Sequence, residues 1–303
     1  MALSLHTNYA ALVTQTTLGK TNSALSTTQQ RLGTGFRVNS AADDAAGLQI
    51  ATRLNAQSRG MAVAMRNTSD AVSMLQTAEG AFNEMTEVLQ RMKDLSTQAA
   101  NDTNNGSDLI AMQAEYDELG KELSNIMKNT KYAGTNLFSN GTAVDGTGGK
   151  FSAAVNFQIG ASAAEKLPLN VSGKLTALGT ALENASDAYT TPAAAGEELA
   201  TTQVATTALN SGASGNITVL ETALDAVGEL RALFGANINR LEHTNNNLAN
   251  MKDNTDMSRG RIMDADFASE SANMSKNSML LQSGISMLKQ SNQMSGLVMS
   301  LIG

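Results

Sequence analysis

Gly33 and Gly35, in the stretch QRLGTGFRVNSAADDAAGL at residues 30–48, are the first residues with chemistry to offer. A glycine-rich turn ahead of a helix can bring backbone N–H groups around a phosphate. The pattern stops short of that use: Val38 stands where G-x-G-x-x-G needs its third glycine, no strand precedes it and no G-K-[ST] follows. Asp43 and Asp44 are the second candidates, as paired carboxylates for acid–base work. Adjacent helical residues point about 100° apart, so these two do not flank one substrate from a single face. A helix start fits better, with Ser40 as N-cap and both acids in the first turn, where the helix dipole favours negative charge. The stretch DMSRGRIMDADFASE at residues 256–270 mirrors the first, with a glycine, arginines and acids. If the two breaks lie side by side, Arg31 and Arg37 could meet Asp264 and Asp266, and Arg259 or Arg261 could meet Asp43 or Asp44. Exposed pairs of this kind contribute about 0–1 kcal/mol each, and solvated charges are the plain alternative.

Other chemistries find less support. The two histidines are His6 and His243, with no H-E-x-x-H, so zinc is not expected. No G-x-S-x-G elbow supports a serine nucleophile. With zero cysteines, disulfides, thiolate catalysis and cysteine-based metal sites are excluded. The net charge of −7 argues against a nucleic-acid groove, which needs clustered Lys and Arg. No run approaches the ~18 apolar residues of a membrane span. The opening MALSLHTNYAALVTQ lacks the basic and long apolar regions of a cleaved signal peptide, so an exported chain of this kind would need another route. The expectation is a structural protein, not an enzyme, with no catalytic, cofactor or metal residues.

The elements point the same way. Hydrophobic residues make up 42% of the chain but aromatics only 4%, with no Trp, a composition suited to helices packed side by side. Both prolines, Pro168 and Pro192, lie mid-chain, leaving the two ends free of the strongest helix breaker. Over residues 61–100, Leu75, Phe82 and Leu89 recur every seven positions, with Ala78, Met85, Met92 and Ala99 three residues on. This spacing predicts one long helix with a continuous seam. After NDTNNGSD, where Ser107 can cap, the pattern resumes at Leu109, Met112, Tyr116, Leu119, Leu123 and Ile126. A third helix is predicted from Ile217, Leu220, Leu224, Val227, Phe234, Ile238, Leu241 and Leu248, with Arg231 and Asn245 as polar seam positions that can fix register. Two helices from the first half and one from the second make a bundle, so the chain leaves this domain and returns to it. Between them FSAAVNFQI at residues 151–159 alternates, as do Leu167, Leu169 and Val171, which reads as a β-hairpin. Residues 175–214, rich in Ala, Thr and Ser, read as a small surface insertion, partly helical or loosely ordered.

The ends have no core of their own. Ala11, Leu18, Leu25 and Leu32 are spaced by seven, but their companion row is Thr14, Thr21 and Thr28. At the other end Leu280, Met287, Met294 and Leu301 form one row, with Leu281, Ile285 and Leu288 beside it. An isolated helix with so narrow a stripe does not offset its ordering entropy. The expectation is that the termini order by pairing with each other and with neighbouring subunits.

QRLGTGFRVNSAADDAAGLQIATRL, LQRMKDLSTQAAN with SDLIAMQAE, and RIMDADFASESANMSKNSMLLQSGISMLKQSNQ together resemble the two end regions of bacterial flagellins. The resemblance covers roughly residues 1–174 and 215–303, and as an ordered set the motifs are specific. It implies a mainly α fold: a long helical bundle with paired terminal coiled-coil helices, a β-hairpin and a short central insertion. The implied domains are a terminal coiled coil from residues 1–42 and 261–303 lining the filament channel, a surrounding bundle with hairpin from 43–174 and 215–260, and a variable outer insertion at 175–214. It implies a homo-polymer, the extracellular filament of the flagellum, whose subunits leave unfolded through the flagellar type III export apparatus with an export chaperone. They then meet the cap and hook-associated proteins. A hook–filament junction protein shares the end motifs and is the alternative. By the family's pattern, Arg91, Leu95 and Glu115 would meet a host Toll-like receptor.

Overall fold

The computed structural model describes residues 8–142, 144–190 and 212–302, with side chains as far as residue 293. In chain order the elements are α1 (Tyr9–Thr34), α2 (Ala45–Ala99), α3 (Gly106–Asn129), β1 (Lys131–Tyr132), β2 (Thr135–Asn136), a single 3-10 turn at Lys150–Ser152, β3 (Val155–Gln158), β4 (Lys166–Leu169), α4 (Ser172–Ala185), α5 (Asp187–Thr190), α6 (Ala213–Met263) and α7 (Phe267–Ile302). They form two compact units, Met1–Ser58 with Lys252–Gly303, and Arg59–Met251. The division falls inside α2 and α6, whereas the sequence suggests boundaries at residues 42 and 261. No break in either helix marks it; within the smaller unit Ser58 Oγ of α2 donates to Asp256 Oδ1 of α6 at 2.8 Å and Arg259 Nη1 donates to Asn55 Oδ1 at 3.0 Å.

The larger unit is a bundle. Leu75, Ala78, Phe82, Met85, Leu89 and Met92 of α2 are all fully buried, as are Tyr116 and Leu123 of α3 and Leu220, Val227, Leu230 and Leu241 of α6. The three and four residue spacing that predicted these helices is the spacing that keeps one face turned inward. At the centre four phenylalanines meet. The Phe82 ring lies 4.8 Å from Phe138 and 5.5 Å from Phe234, and Phe151 lies 5.2 Å from Phe234. Arg231 and Asn245 are half-buried, and neither Arg231 Nε nor Asn245 Oδ1 has a hydrogen-bond partner among the described residues.

Several local features differ from the sequence expectation. The cap of α3 is Asn105, not Ser107: its side chain accepts from the N–H groups of Ser107 and Asp108, and Asp108 answers by accepting from the N–H of Asn105. Asparagine wins because its carbonyl reaches two orphan donors at once. Asn105→Ala is expected to destabilise the bundle by about 1 kcal/mol, read as a small shift in the denaturant midpoint at unchanged slope.

The hairpin is present, with β3 and β4 antiparallel and Phe157 opposite Leu167. It is shorter than the alternation suggested, since Phe151 reaches the core from the 3-10 turn and Ala153 is exposed. A second hairpin, β1 with β2, turns through Ala133 and Gly134, both at positive φ.

The largest difference concerns residues 175–214. Their first part is core, not surface: Leu175, Leu178, Leu182 and Ala185 of α4 and Tyr189 of α5 are buried. Tyr116 Oη donates to the carbonyl of Ala185 at 2.7 Å and accepts from Asn216 Nδ2 at 2.7 Å, tying α3, α4 and α6 together. Tyr189 Oη donates to the carbonyl of Val144, and burial pushes its ionisation far above the ordinary tyrosine range. Ala181, Ala185 and Ala188 supply small side chains for close packing, while Thr176, Thr180 and Thr190 stay exposed, and an added Cβ on Gly179 would lie 2.7 Å from the Asp145 backbone. Residues 191–211 lie outside the described residues.

Candidate functional site

The smaller unit is built on α1 and α7. Asn8 Nδ2 donates to the Ser291 carbonyl at 3.2 Å, and Arg31 Nη1 pairs with Glu270 Oε1 at 3.2 Å. A Cβ on Gly284 would lie 2.6 Å from Leu18 Cδ1. These contacts advance along α1 as they retreat along α7, so the helices run antiparallel. The seam on α1 is Leu18, Thr21, Leu25, Thr28 and Leu32, half-buried or buried; on α7 it is Met274, Leu281, Gly284 and Leu288, all half-buried. The threonines suit a seam because their hydroxyls turn back into the helix. Thr21 Oγ1 donates to the Thr17 carbonyl and Thr28 Oγ1 to that of Ala24. With the hydroxyl satisfied inside the helix, a threonine adds chiefly its methyl group to the packing.

Other apolar residues of the pair stay open. Met279, Leu280, Ile285 and Met287 on α7, and Tyr9, Leu12 and Val13 on α1, are exposed large apolar residues. Of the residues singled out in sequence, Leu281 and Leu288 belong to the seam while Leu280, Ile285 and Met287 are among these open residues. Met294 and Leu301 lie in α7, beyond the last described side chain. A shallow groove of about 400 Å³ beside the seam is lined by Leu25, Met274 and Met279 with polar neighbours. Patches of such residues on a water-facing surface mark interaction sites.

The break between α1 and α2 meets the break between α6 and α7. Gly35 ends α1 in the left-handed conformation, φ 74°, with its N–H donating to the Arg31 carbonyl at 2.8 Å and its own carbonyl accepting from Ala265 N at 2.9 Å. Phe36 and Asp264 form an antiparallel bridge, and Arg37 N donates to the Met263 carbonyl at 2.6 Å. The glycine that suggested a phosphate turn is thus a helix stop.

The charges at these breaks find other partners than the sequence suggested. Arg31 pairs with Glu270, and Arg37 Nη2 donates to the Ile262 carbonyl at 2.9 Å. Arg259 reaches Asn55, and Arg261 Nη2 lies 3.6 Å from Met257 Sδ. Asp43, Asp44 and Asp266 serve the backbone: Asp43 Oδ2 accepts from the N–H groups of Asn39 and Ser40, Asp44 Oδ1 from Gly47 N at 2.8 Å, and Asp266 Oδ1 from Ala268 N at 3.0 Å. Asp44 therefore starts α2, and Ser40 donates its hydroxyl to Asp43 instead of capping. Orphan N–H groups at a helix start attract a carboxylate more reliably than a distant arginine does. Sequence reasoning missed Glu270, whose signal was its place in the first turn of α7, and Asp256, which gathers Ser58 and Lys252.

Three of these carboxyls sit below their ordinary range. The Ser40 and Asn39 N–H groups hold Asp43 down, the Lys252 ammonium and Ser58 hydroxyl hold Asp256 down, and the Ser269 hydroxyl and N–H do so for Asp266. Because their folded values are depressed, their contribution is complete above the unfolded value of about 3.9 and is lost as pH falls through the folded value. The variant carrying Asp43→Asn, Asp256→Asn and Asp266→Asn is therefore expected to lose less amide protection in α1 and α7 between pH 6 and pH 3 than the parent does. Hydrogen exchange at the two pH values, each normalised to its intrinsic rate, measures this.

Comparison with known proteins identifies the family. The bacterial flagellin N-terminal helical region matches residues 5–143, and the bacterial flagellin C-terminal helical region matches residues 217–302. The chain belongs to the bacterial flagellin family. Flagellin A of Vibrio anguillarum is 34% identical over 396 aligned positions, and polar flagellin B/D of Vibrio parahaemolyticus is 32% identical over 378, each covering 100% of both chains. A crystal structure of Bacillus cereus flagellin is similar at 29% identity and TM-score 0.42, covering 60% of this chain and 88% of that one. The flagellin reading makes this a subunit of the extracellular flagellar filament, a self-polymerising structural protein. Among the described residues no helix is long and apolar enough to cross a membrane.

Arg91, Leu95 and Glu115 lie on the bundle. Arg91 Nη2 and Glu115 Oε1 form an exposed ion pair at 2.6 Å across α2 and α3. Leu95 is 2% exposed, its side chain turned into the core.

Proposed function

We propose that α1 and α7 are the polymerising element of this filament subunit, with the bundle as the surrounding wall. The observation that carries the reading is the set of exposed apolar residues on α7, Met279, Leu280, Ile285 and Met287, which the pairing with α1 leaves open to water. Water-exposed apolar area of this kind gains free energy when a second subunit covers it, at roughly 25 cal/mol per Å². On this reading residues 1–42 and 261–303 line the filament interior, and residues 43–174 and 215–260, with α4 and α5 packed into their core, form the tube around them. Subunits travel through the flagellar type III export apparatus with a chaperone and add at the tip under cap and hook-associated proteins. The absence of cysteine suits that passage, since no disulfide can trap the chain in transit. Arg91 and Glu115 offer an exposed charged surface to a host Toll-like receptor, and Leu95 supports it from beneath.

Seeded polymerisation tests the reading. Purified monomer is mixed with short filament fragments and followed by electron microscopy, beside a version lacking residues 264–303. Long filaments from the intact chain alone are the expected result; filaments from the shortened chain would remove α7 from the role given it.

A further inference from the structure

Among the described residues, Met61, Met85, Met92 and Met127 are closed inside the bundle at 0–1% exposure, while the exposed methionines are Met251 and Met257 of α6, at 40% and 56%, and Met279 and Met287 of α7, at 65% and 61%. The two α7 thioethers, the most exposed of these, belong to the open apolar residues given above to subunit contact, with Leu280 and Ile285. We propose that Met279 and Met287 are an oxidation site through which a peroxide blocks assembly, an inference that rests on the polymerising role of those residues.

The step needs only hydrogen peroxide as oxidant. A sulfur lone pair attacks one peroxide oxygen, the O–O bond breaks, and the sulfide becomes a sulfoxide while peroxide is reduced to water. The product is a polar, chiral group with a strong acceptor oxygen where a flexible apolar chain stood. In the monomer that oxygen faces water and costs little. In the filament it would be buried among Leu280, Ile285 and the equivalent apolar residues of a neighbour, where an unpaired acceptor is disfavoured. The bundle core is spared because Met61, Met85, Met92 and Met127 are inaccessible, so the folded monomer persists while assembly stops. Reduction of the sulfoxide restores the thioether, making the block reversible.

The test treats folded monomer with dilute hydrogen peroxide, locates sulfoxides by peptide mass spectrometry and measures elongation from seeds. Met279 and Met287 are expected to oxidise before Met85 and Met92, with elongation slowed by about tenfold or more. The bundle's melting transition should hold, and methionine sulfoxide reductases should restore elongation. A Met279→Leu, Met287→Leu variant keeps both positions apolar without an oxidisable sulfur there. It should elongate before treatment and keep its rate after it. Undiminished elongation by a parent carrying both sulfoxides would overturn the proposal, as would a leucine variant slowed by peroxide as much as the parent. Untreated parent that never elongates from seeds would instead overturn the assembly role of the chain itself.

Discussion

Leu281→Asp combined with Leu288→Asp is expected to abolish filament formation and to unpair α1 from α7, while leaving the bundle folded. Both leucines sit half-buried on the α7 face that carries Met274 and Gly284 toward α1. A carboxylate placed there must stay hydrated, and a seam of leucines and threonine methyl groups has no donor for it, so separation of the helices is the cheaper outcome. A pair of helices this exposed has little else to hold it beyond its ends, where Arg31 pairs with Glu270 and Asn8 bonds Ser291. The informative comparison is Leu280→Asp with Met287→Asp, one residue away and open to water. That variant is expected to keep the α1–α7 pair and still fail to polymerise. Circular dichroism and hydrogen exchange on monomers separate the two variants, and seeded elongation joins them. A monomer of the first variant with α1 and α7 as protected as in the parent would show that the seam is not what holds them.

Phe82→Ala is expected to destabilise the bundle by about 3–5 kcal/mol, the range for deleting a buried phenylalanine ring. For a domain of this size that lowers the melting temperature by roughly 6–20 °C. The site gives little room for relaxation. Phe82 is fully buried, its ring packs against both Phe138 and Phe234, and its neighbours belong to α2, α6 and the loop after β2. Removing it opens a void among three elements that cannot all move inward together, and the aromatic contacts themselves are lost with it. Phe82→Leu, which refills most of the volume, should recover a large share. Thermal denaturation of the monomer followed by circular dichroism measures both. A loss below about 1 kcal/mol for alanine would mean that the core collapses around the gap far more readily than close-packed cores do.

Most of the helical architecture was legible because it is written in periodicity. The rows through Leu75, Phe82 and Leu89, through Met112 and Tyr116, and through Leu220, Val227 and Leu241 repeat at helical spacing, and a helix with such a row must bury it. The end motifs likewise pointed to the flagellins, since ordered stretches at both ends match that family's regions. Local chemistry was less legible. Ser107 and Asn105 are both good caps by type, and only the backbone path shows which carbonyl reaches two N–H groups. The short β1–β2 turn through Ala133 and Gly134 offered too few residues to declare itself.

By itself, then, the sequence determined that this chain is a helical, non-thiol protein with a returning bundle and two terminal stripes too narrow to fold alone, because hydrophobic spacing and the absence of cysteine act over any conformation. Only the tertiary structure decided which side of each stripe is used. It put Leu281 and Leu288 in the seam and left Leu280 and Met287 open, and it turned the threonine hydroxyls of α1 back onto their own helix. It also took α4 and α5 into the core through Leu175, Leu182 and Tyr189, and it gave Asp43, Asp44 and Asp266 to backbone N–H groups in place of arginines. The physical reason is common to all of these. Each depends on which group lies within a few ångströms across the fold, and that distance is fixed by helix pairing and packing between residues far apart in the chain.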